Sequence, residues 1–590
     1  MGIFIITKKN HDLDSISSHR LLLEHLGLSQ PFIHELAEYK VYSWSKIKLN
    51  EPQFIVRNGA SLFVSGTPVY KGAENISISI ERIFEDLLND NWDYRNVRGN
   101  YVFCYSPNPE SIRLYVDQAG IGNLYFDKHQ EYISTSFLSC IFGLDRSVTL
   151  NKNAAIEIIT SGRLIGPDTL VNEIIRAELH CHNNIHGIPL ILDQSLLQPS
   201  KDYKDSFEDA VDDQIREVDT YFKDISPFAK YYHVDSGITG GHDSRMILME
   251  LLKFIGHEKF QLHSFWRKTE DIELQSAKSV ANASKINLRC IPIKHHFDMS
   301  EDEMYNNLKE AYFFYDGHVR MHCFYTEVYN TLRHRIEILG DKGLGLNGVG
   351  GEQYRNEWHM ESKFWSMKYF IRYFLCYQIS GRCFNDKDAE HSYFNYLEQK
   401  LRKRLNISVS AKRIDRQQVQ KYVNEVYVTS LMGARTNAEQ KLGHFLSPFL
   451  DRQLTYASYR GLIHHGVSFK FQQAMLRRMN PAISQVPSGY GYDFMQGEPI
   501  LKKIKYLIKE FTPKNVYQNM LDSKFRANGN SDFEKLLTKF SIINDSVKTL
   551  RSIELPLDEK IITSRPDLMP VYVSLAYTIH SLTGLNKLKI

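Results

Sequence analysis

Cysteine is scarce in this chain, with seven among 590 residues. They are scattered (Cys104, Cys140, Cys181, Cys290, Cys323, Cys376, Cys383), with no Cys-x-x-Cys pair and an odd total. That argues against a disulfide framework and predicts a reducing, cytoplasmic setting. Long apolar runs are missing too, which excludes a bilayer-spanning helix. The best candidate, Leu568 to Leu582, contains Pro570 and His580 and reads as a buried C-terminal helix. The opening Met1 to Lys9 carries an apolar run too short for a signal peptide and reads as a first strand. Ile6 stands where a myristoylation signal at Gly2 needs Ser or Thr. Excess charge of one sign is also absent: the formal net charge is +3, too small to argue for nucleic acid or an anionic membrane. There is no internal repeat and no low-complexity tract.

What is present fits a soluble globular chain of at least two cores, since 43% hydrophobic and 24% charged residues are ordinary proportions for one. Residues 1–195 read as strand-rich with short turns, and 196–202 as a linker. Arg98 to Tyr105 and Ile112 to Gly120 read as paired strands, followed by short strands at Asn123–Phe126 and Tyr132–Ser136. Phe207 to Phe222 has helical apolar spacing. Beyond it strand and helix alternate: Phe260–Trp266, a helix over Ile272–Ala283, and a strand over Leu288–Ile293. That alternation predicts a parallel sheet flanked by helices, with ligands at the carboxyl ends of its strands. From about 360 onward the pattern is mostly helical, and Ser531 to Leu550 reads as a solvated helical region.

The most informative phrase runs from Tyr231 to Arg245: Tyr-Tyr-His-Val-Asp-Ser-Gly-Ile-Thr-Gly-Gly-His-Asp-Ser-Arg. It reads as a strand, a tight glycine turn, and an amphipathic helix from about Met246 to Phe254. Backbone N–H groups and the helix dipole at such a junction favour an anion. Gly240 and Gly241 let the backbone approach phosphate oxygens without a Cβ, and Thr239 and Ser244 offer hydroxyls. Asp243 is the odd residue, because a carboxylate repels phosphate unless a divalent cation sits between them. The phrase therefore points to a magnesium-bound pyrophosphate group. Arg245 either reaches a phosphate bidentately or packs its stem over the sheet. The Gly-Lys-[Ser/Thr] ending of a Walker A loop is missing. The plain alternative is an ordinary strand–turn–helix connection.

A second phrase, Leu344 to Tyr354 (Leu-Gly-Leu-Asn-Gly-Val-Gly-Gly-Glu-Gln-Tyr), again reads as strand, glycine turn and acid. Alone it is a flexible glycine loop; beside the first, Asp243 and Glu352 could share one hard cation. A third phrase is Leu446-Ser-Pro-Phe-Leu-Asp451, followed by Met475–Arg478 and Ile483–Gly489.

Together these phrases resemble the asparagine synthetase superfamily. The first resembles the Ser-Gly-Gly-x-Asp-Ser loop of ATP pyrophosphatases, with Thr239 for the first serine. The second resembles the Ser-Gly-Glu-Gly-x-Asp-Glu loop and the third the Arg-x-Pro-Phe-Leu-Asp segment. The resemblance implies an α/β fold in two parts. Residues 1–195 would be an N-terminal-nucleophile (Ntn) αββα sandwich of the glutamine amidotransferase type. Residues 205–590 would be an ATP-pyrophosphatase (adenine nucleotide α-hydrolase-like) parallel sheet with a helical extension. Gly2 stands where a working glutaminase has its nucleophilic cysteine, so the first domain should not hydrolyse glutamine; β-lactam synthetases and lasso-peptide cyclases show the same loss.

The implied activity is an ATP-dependent carbon–nitrogen ligase that adenylates a carboxylate and couples it to an amine, releasing AMP and pyrophosphate. ATP and magnesium are the implied cofactors, with Asp243 and Glu352 as metal ligands. Thr239, Gly240, Gly241, Asp243, Ser244, Arg245, Ser264, Gly348, Gly350 and Gly351 fall on the nucleotide-binding side. His444 falls where the family has a glutamate and could act as a base. Substrates would be a small-molecule or peptide carboxylate and an amine, in specialised metabolite, modified peptide or surface sugar biosynthesis. Nucleic acid and membrane are not expected as partners, and a homodimer is left open. Two departures stand out: Val349 replaces the second loop's first acid, and Pro487 replaces a late lysine. They support an alternative, a nucleotide-binding protein that no longer catalyses transfer; an ammonia-dependent asparagine synthetase is another, and an RNA-thiolating or other ATP pyrophosphatase a third. Other clusters have bland readings. His180, Cys181, His182 and His186 lack the second cluster a zinc site needs. His318 and His322 fit substrate contact and a packed helix equally, and Arg320 fits a substrate carboxylate or a surface ion pair equally. Lys470 reads as an exposed lysine.

Overall fold

The computed structural model describes residues 3–11, 17–28, 30–47, 51–117, 119–129, 131–178, 182–191, 202–267, 271–319, 331–339, 343–355, 365–376, 383–466, 469–513 and 531–590, together with Leu13, Leu49, Val516 and Met520. Gly2, His180, Cys181, Arg320, His322, Cys323 and most of the 196–202 linker lie outside them.

The N-terminal part holds two six-stranded sheets, and strand alternation decides how they stack. In Phe4–Lys8, Phe4 and Ile6 point one way and Ile3 and Ile5 the other. The first pair meets Phe63, Val102, Cys104 and Leu114 of the other sheet, so the sheets pack face to face. The second pair joins Leu22 and Leu26 of one helix and Phe137 to Phe142 of another. On the far side, Leu62, Val64 and Phe103 pack on Ile76, Ile80, Ile83 and Phe84 of the helix Ile76–Leu88. The result is helix, sheet, sheet, helix. The expected strand over 98–105 is split, because Gly99 takes φ +87. Val97–Arg98 pairs separately with Val69–Tyr70, and Tyr101–Asn108 pairs antiparallel with Ser111–Val116.

The C-terminal part is built on a five-stranded sheet whose neighbours all run parallel. In chain order its strands are His233–Gly237, Phe260–Trp266, Leu288–Pro292, Gly343–Leu346 and His444–Leu446, and in space they lie in the order third, second, first, fourth, fifth. The chain thus moves outward one way from the first strand, then returns to its other side. The reversal between first and fourth strands leaves a crevice at their carboxyl ends. The helix leading in runs from Phe207 to Tyr231, nine residues past the expected Phe222, and continues through Pro227 because Ile225, Phe228 and Ala229 are buried.

The two parts share a core. The C-terminal helix Met569–Gly584 packs with Lys152–Ser161, and Leu588–Lys589 pairs in parallel with Val148–Thr149. The 531–550 region is not simply solvated: its helices Ser531–Lys539 and Ser541–Arg551 bury Phe533, Leu536, Ile543, Val547 and Leu550. Among the described residues, no helix is long and apolar enough to cross a membrane.

Candidate functional site

Both glycine phrases sit at the crevice, one after the first strand and one after the fourth. Gly241 caps the helix His242–Phe254 without any side-chain hydrogen bond, so its first-turn N–H groups have no side-chain cap. Thr239 Oγ1 accepts from Gly241 N at 3.1 Å, Ser244 Oγ accepts from Thr239 N at 3.2 Å, and the two hydroxyls lie 3.1 Å apart. These bonds fold the turn on itself. A Cβ on Gly240 would lie 2.5 Å from Gly489 N, which donates to Gly240 O at 3.1 Å. Glycine is needed at 240 for that loop contact. The position facing more open space is 241, where the nearest atoms are Thr239 Oγ1 at 3.3 Å and Tyr490 Oη at 3.6 Å.

The second turn packs directly on the first. A Cβ on Gly348 would meet the Asp243 carbonyl carbon at 2.7 Å, and one on Gly351 would overlap the Asp243 carboxylate. Gly350 sits at φ +98 with Phe449 O 2.7 Å from its Cβ position. Across this contact the acids come together. Arg355 lies 3.3 Å from Glu352 Oε1 and 3.8 Å from Asp243 Oδ2. Gln472 Nε2 donates to Asp243 Oδ1. Glu352 Oε2 and Gln472 Oε1 are buried without a hydrogen-bond partner. Burial pushes the Asp243 carboxyl up to about 6; the Glu352 charge adds to the rise, while Arg355 and Gln472 oppose it. Two oxygens without donors beside a compressed acid pair suit a divalent cation, which would supply the missing partner.

Arg355 and Gln472 were not singled out by sequence. Arg355 had one usable signal, its position three residues after Glu352. Gln472 had none, because it reaches the site from the distant helix Lys470–Met479.

No protein-family model matches this chain, and no curated protein matches it.

Other expected site residues lie elsewhere. The Arg245 side chain is fully buried and donates to the carbonyls of Ile483, Val486 and Pro487 and to Ser276 Oγ, at 2.6 to 3.3 Å. It holds the 483–490 loop. Ser264 is buried on the second strand, one residue past the His263 that pairs with Gly237. His444 is not at the crevice. It pairs with Leu344 at the amino end of its strand, two residues before the Leu346–Leu446 pair at the carboxyl end. There its Nε2 meets Glu51 at 3.0 Å and its ring packs on Tyr232. Burial and nearby Lys46 hold its pKa well below the usual histidine range. Val349 packs against the core. Asp451 caps the helix Arg452–Ser458 and pairs with Arg98 at 3.2 Å. Lys470 lies over the Phe207 ring.

His318 lines a cavity between the two parts, with Tyr125, Arg163, Arg176, Thr429 and Ser430. Its Nε2 meets Tyr125 Oη at 2.6 Å, and burial lowers its pKa to about 4. A second cavity, which touches Gly350 and Gln353, shares Thr429 with the first. His182 and His186 serve turns: His182 Nδ1 accepts from Glu178 N, and His186 Nε2 contacts Asp127 O at 2.7 Å.

Proposed function

We propose that this chain is an ATP-dependent carbon–nitrogen ligase that adenylates a substrate carboxylate and joins it to an amine. One observation carries this reading: the turns after the first and fourth strands press Asp243 against Gly351 at the switch point, with Glu352 alongside. On this reading the parallel sheet is of the ATP-pyrophosphatase type and the four-layer N-terminal part an amidotransferase-like scaffold. Asp243 and Glu352 would hold magnesium, which would neutralise charge on a leaving pyrophosphate. The first-turn N–H groups after Gly241 would receive phosphate oxygens. The cavity lined by Arg163, Arg176 and His318 is our choice for the other substrate groups, since it offers cations and a neutral imidazole. The cytoplasmic setting belongs to the same proposal and rests on cysteine usage.

The test is ATP–pyrophosphate exchange with purified protein, magnesium and a pool of carboxylic acids. Acid-dependent exchange is expected, and Asp243→Asn is expected to reduce it at least a hundredfold with the circular dichroism spectrum unchanged. Undiminished exchange in that variant would remove the site from the reaction.

A second reading is a nucleotide-binding protein without transfer activity. It is favoured by Val349, half-buried against the core, and by the Pro487 carbonyl held by Arg245, where the family has an acid and a lysine. ATP binding without exchange would select it.

A further inference from the structure

Asp235, His263 and His334 form a cluster that the glycine turns do not use. Asp235 lies midway along the first parallel strand, His263 on the second, and His334 on the helix Thr331–Ile338. Asp235 and His334 are each 4% exposed, and the His263 side chain 15%. One ligand-capable atom from each lies within 4.8 Å of the other two. Asp235 Oδ1 is paired with His263 Nδ1. The His263 and His334 rings meet edge to face with centroids 5.1 Å apart. Gly237 makes room: a Cβ there would lie 3.3 Å from His263 Nε2.

The second observation is what the cluster leaves unpaired. Asp235 Oδ2 and His334 Nε2 are both buried without a hydrogen-bond partner. A buried polar atom left without a partner is unfavourable, and a buried carboxylate oxygen more so. Neighbouring cations are engaged elsewhere, Arg335 with Glu439 and Arg289 with Glu337. A metal ion at the centre would satisfy both orphans at once.

The donor set names the class of ion. Two imidazoles and one carboxylate suit zinc and its first-row neighbours, whereas magnesium and calcium take oxygen ligands. Zinc ligands in a tetrahedron stand roughly 3.4 Å apart, a modest contraction from the spread present here. Three protein ligands leave one position open.

We propose that Asp235, His263 and His334 form a divalent transition-metal site, with zinc the best match, beside the middle of the first two parallel strands. It uses neither Asp243 nor Glu352 and does not rest on the ligase reading. The ion ties the Thr331–Ile338 helix to the sheet four residues upstream of Thr239.

The test uses full-length protein stripped with chelator and titrated with cobalt(II), then zinc. With magnesium in excess to occupy the Asp243–Glu352 pair, one cobalt per chain is expected, with the visible absorption of a four- or five-coordinate ion, displaced by zinc. Zinc should raise the melting temperature. Asp235→Asn and His334→Gln should weaken cobalt binding at least tenfold, while Asp243→Asn leaves band and stoichiometry unchanged. His334→Cys keeps a ligand and should add a thiolate-to-cobalt charge-transfer band, which guards against variants that fail to fold. Folded wild type without a cobalt band would overturn the proposal. So would a band that survives both Asp235→Asn and His334→Gln, or folded His334→Cys without the charge-transfer band.

Discussion

Asp243 is compressed between Gly351, Gln472 and Arg355, and its titration should report that compression. An aspartate in the unfolded chain titrates near about 3.9; here burial raises it to about 6. Between those values the native state holds more proton than the unfolded one, so its contribution to stability falls as pH rises. The loss is roughly 3 kcal/mol between about pH 4 and 6. Urea unfolding of wild type and Asp243→Asn across pH 4–7 should show the wild type losing ground by that order; a constant difference would mean the carboxylate is not buried as described. His444 makes the opposite case. It bonds Glu51 at the far end of its strand, so His444→Gln should cost about 1–3 kcal/mol of stability. Amide formation from the acid and an amine, the step in which the attacking amine loses a proton, should stay within about twofold of wild type under the general-base scale. Amide formation abolished in a folded variant that keeps its acid-dependent exchange would restore His444 as the base.

At the scale of elements, the 483–490 loop owes its place to one side chain. Arg245 donates to three of its carbonyls, and the Gly240–Gly489 approach seals the contact. Burial lowers Arg245 only to about 10, so it stays charged near neutral pH. Arg245→Met would leave those carbonyls without their donor and should cost about 1–3 kcal/mol for each one left unsatisfied. Limited proteolysis should then cut within 483–490 before global unfolding; an unchanged melting curve and cleavage pattern would refute the clamp. The helices at 531–551 carry a related lesson. Their charges read as solvated, yet Phe533, Leu536, Ile543, Val547 and Leu550 form an inward stripe.

At the scale of the whole molecule, the division near residue 200 is not a division of the core. Arg98 pairs with Asp224 at 2.9 Å and Asp451 at 3.2 Å, Gly99 packs on Leu446, and the C-terminal helix lies on Lys152–Ser161. Residues 205–590 produced alone should therefore expose the apolar faces those contacts cover and fail to fold cooperatively. The full chain should retain the tertiary circular dichroism that the fragment lacks. A fragment with a sharp thermal transition would show that the C-terminal part stands alone.

The sequence by itself determined the strands at Phe260–Trp266 and Leu288–Pro292, the helix beginning at Ile272, and both glycine turns. Those follow from periodicity and turn chemistry, which depend on near neighbours along the chain. Tertiary structure alone decided that Gly351 touches Asp243, that Gln472 and Arg355 reach the acids, and that Arg245 faces a loop. It also moved His444 away from the crevice and gathered Asp235, His263 and His334. Such meetings span up to a few hundred residues and depend on strand order and register. A two-residue difference along a parallel strand carries a side chain roughly 6.6 Å from the carboxyl end, and nothing local in the sequence records it.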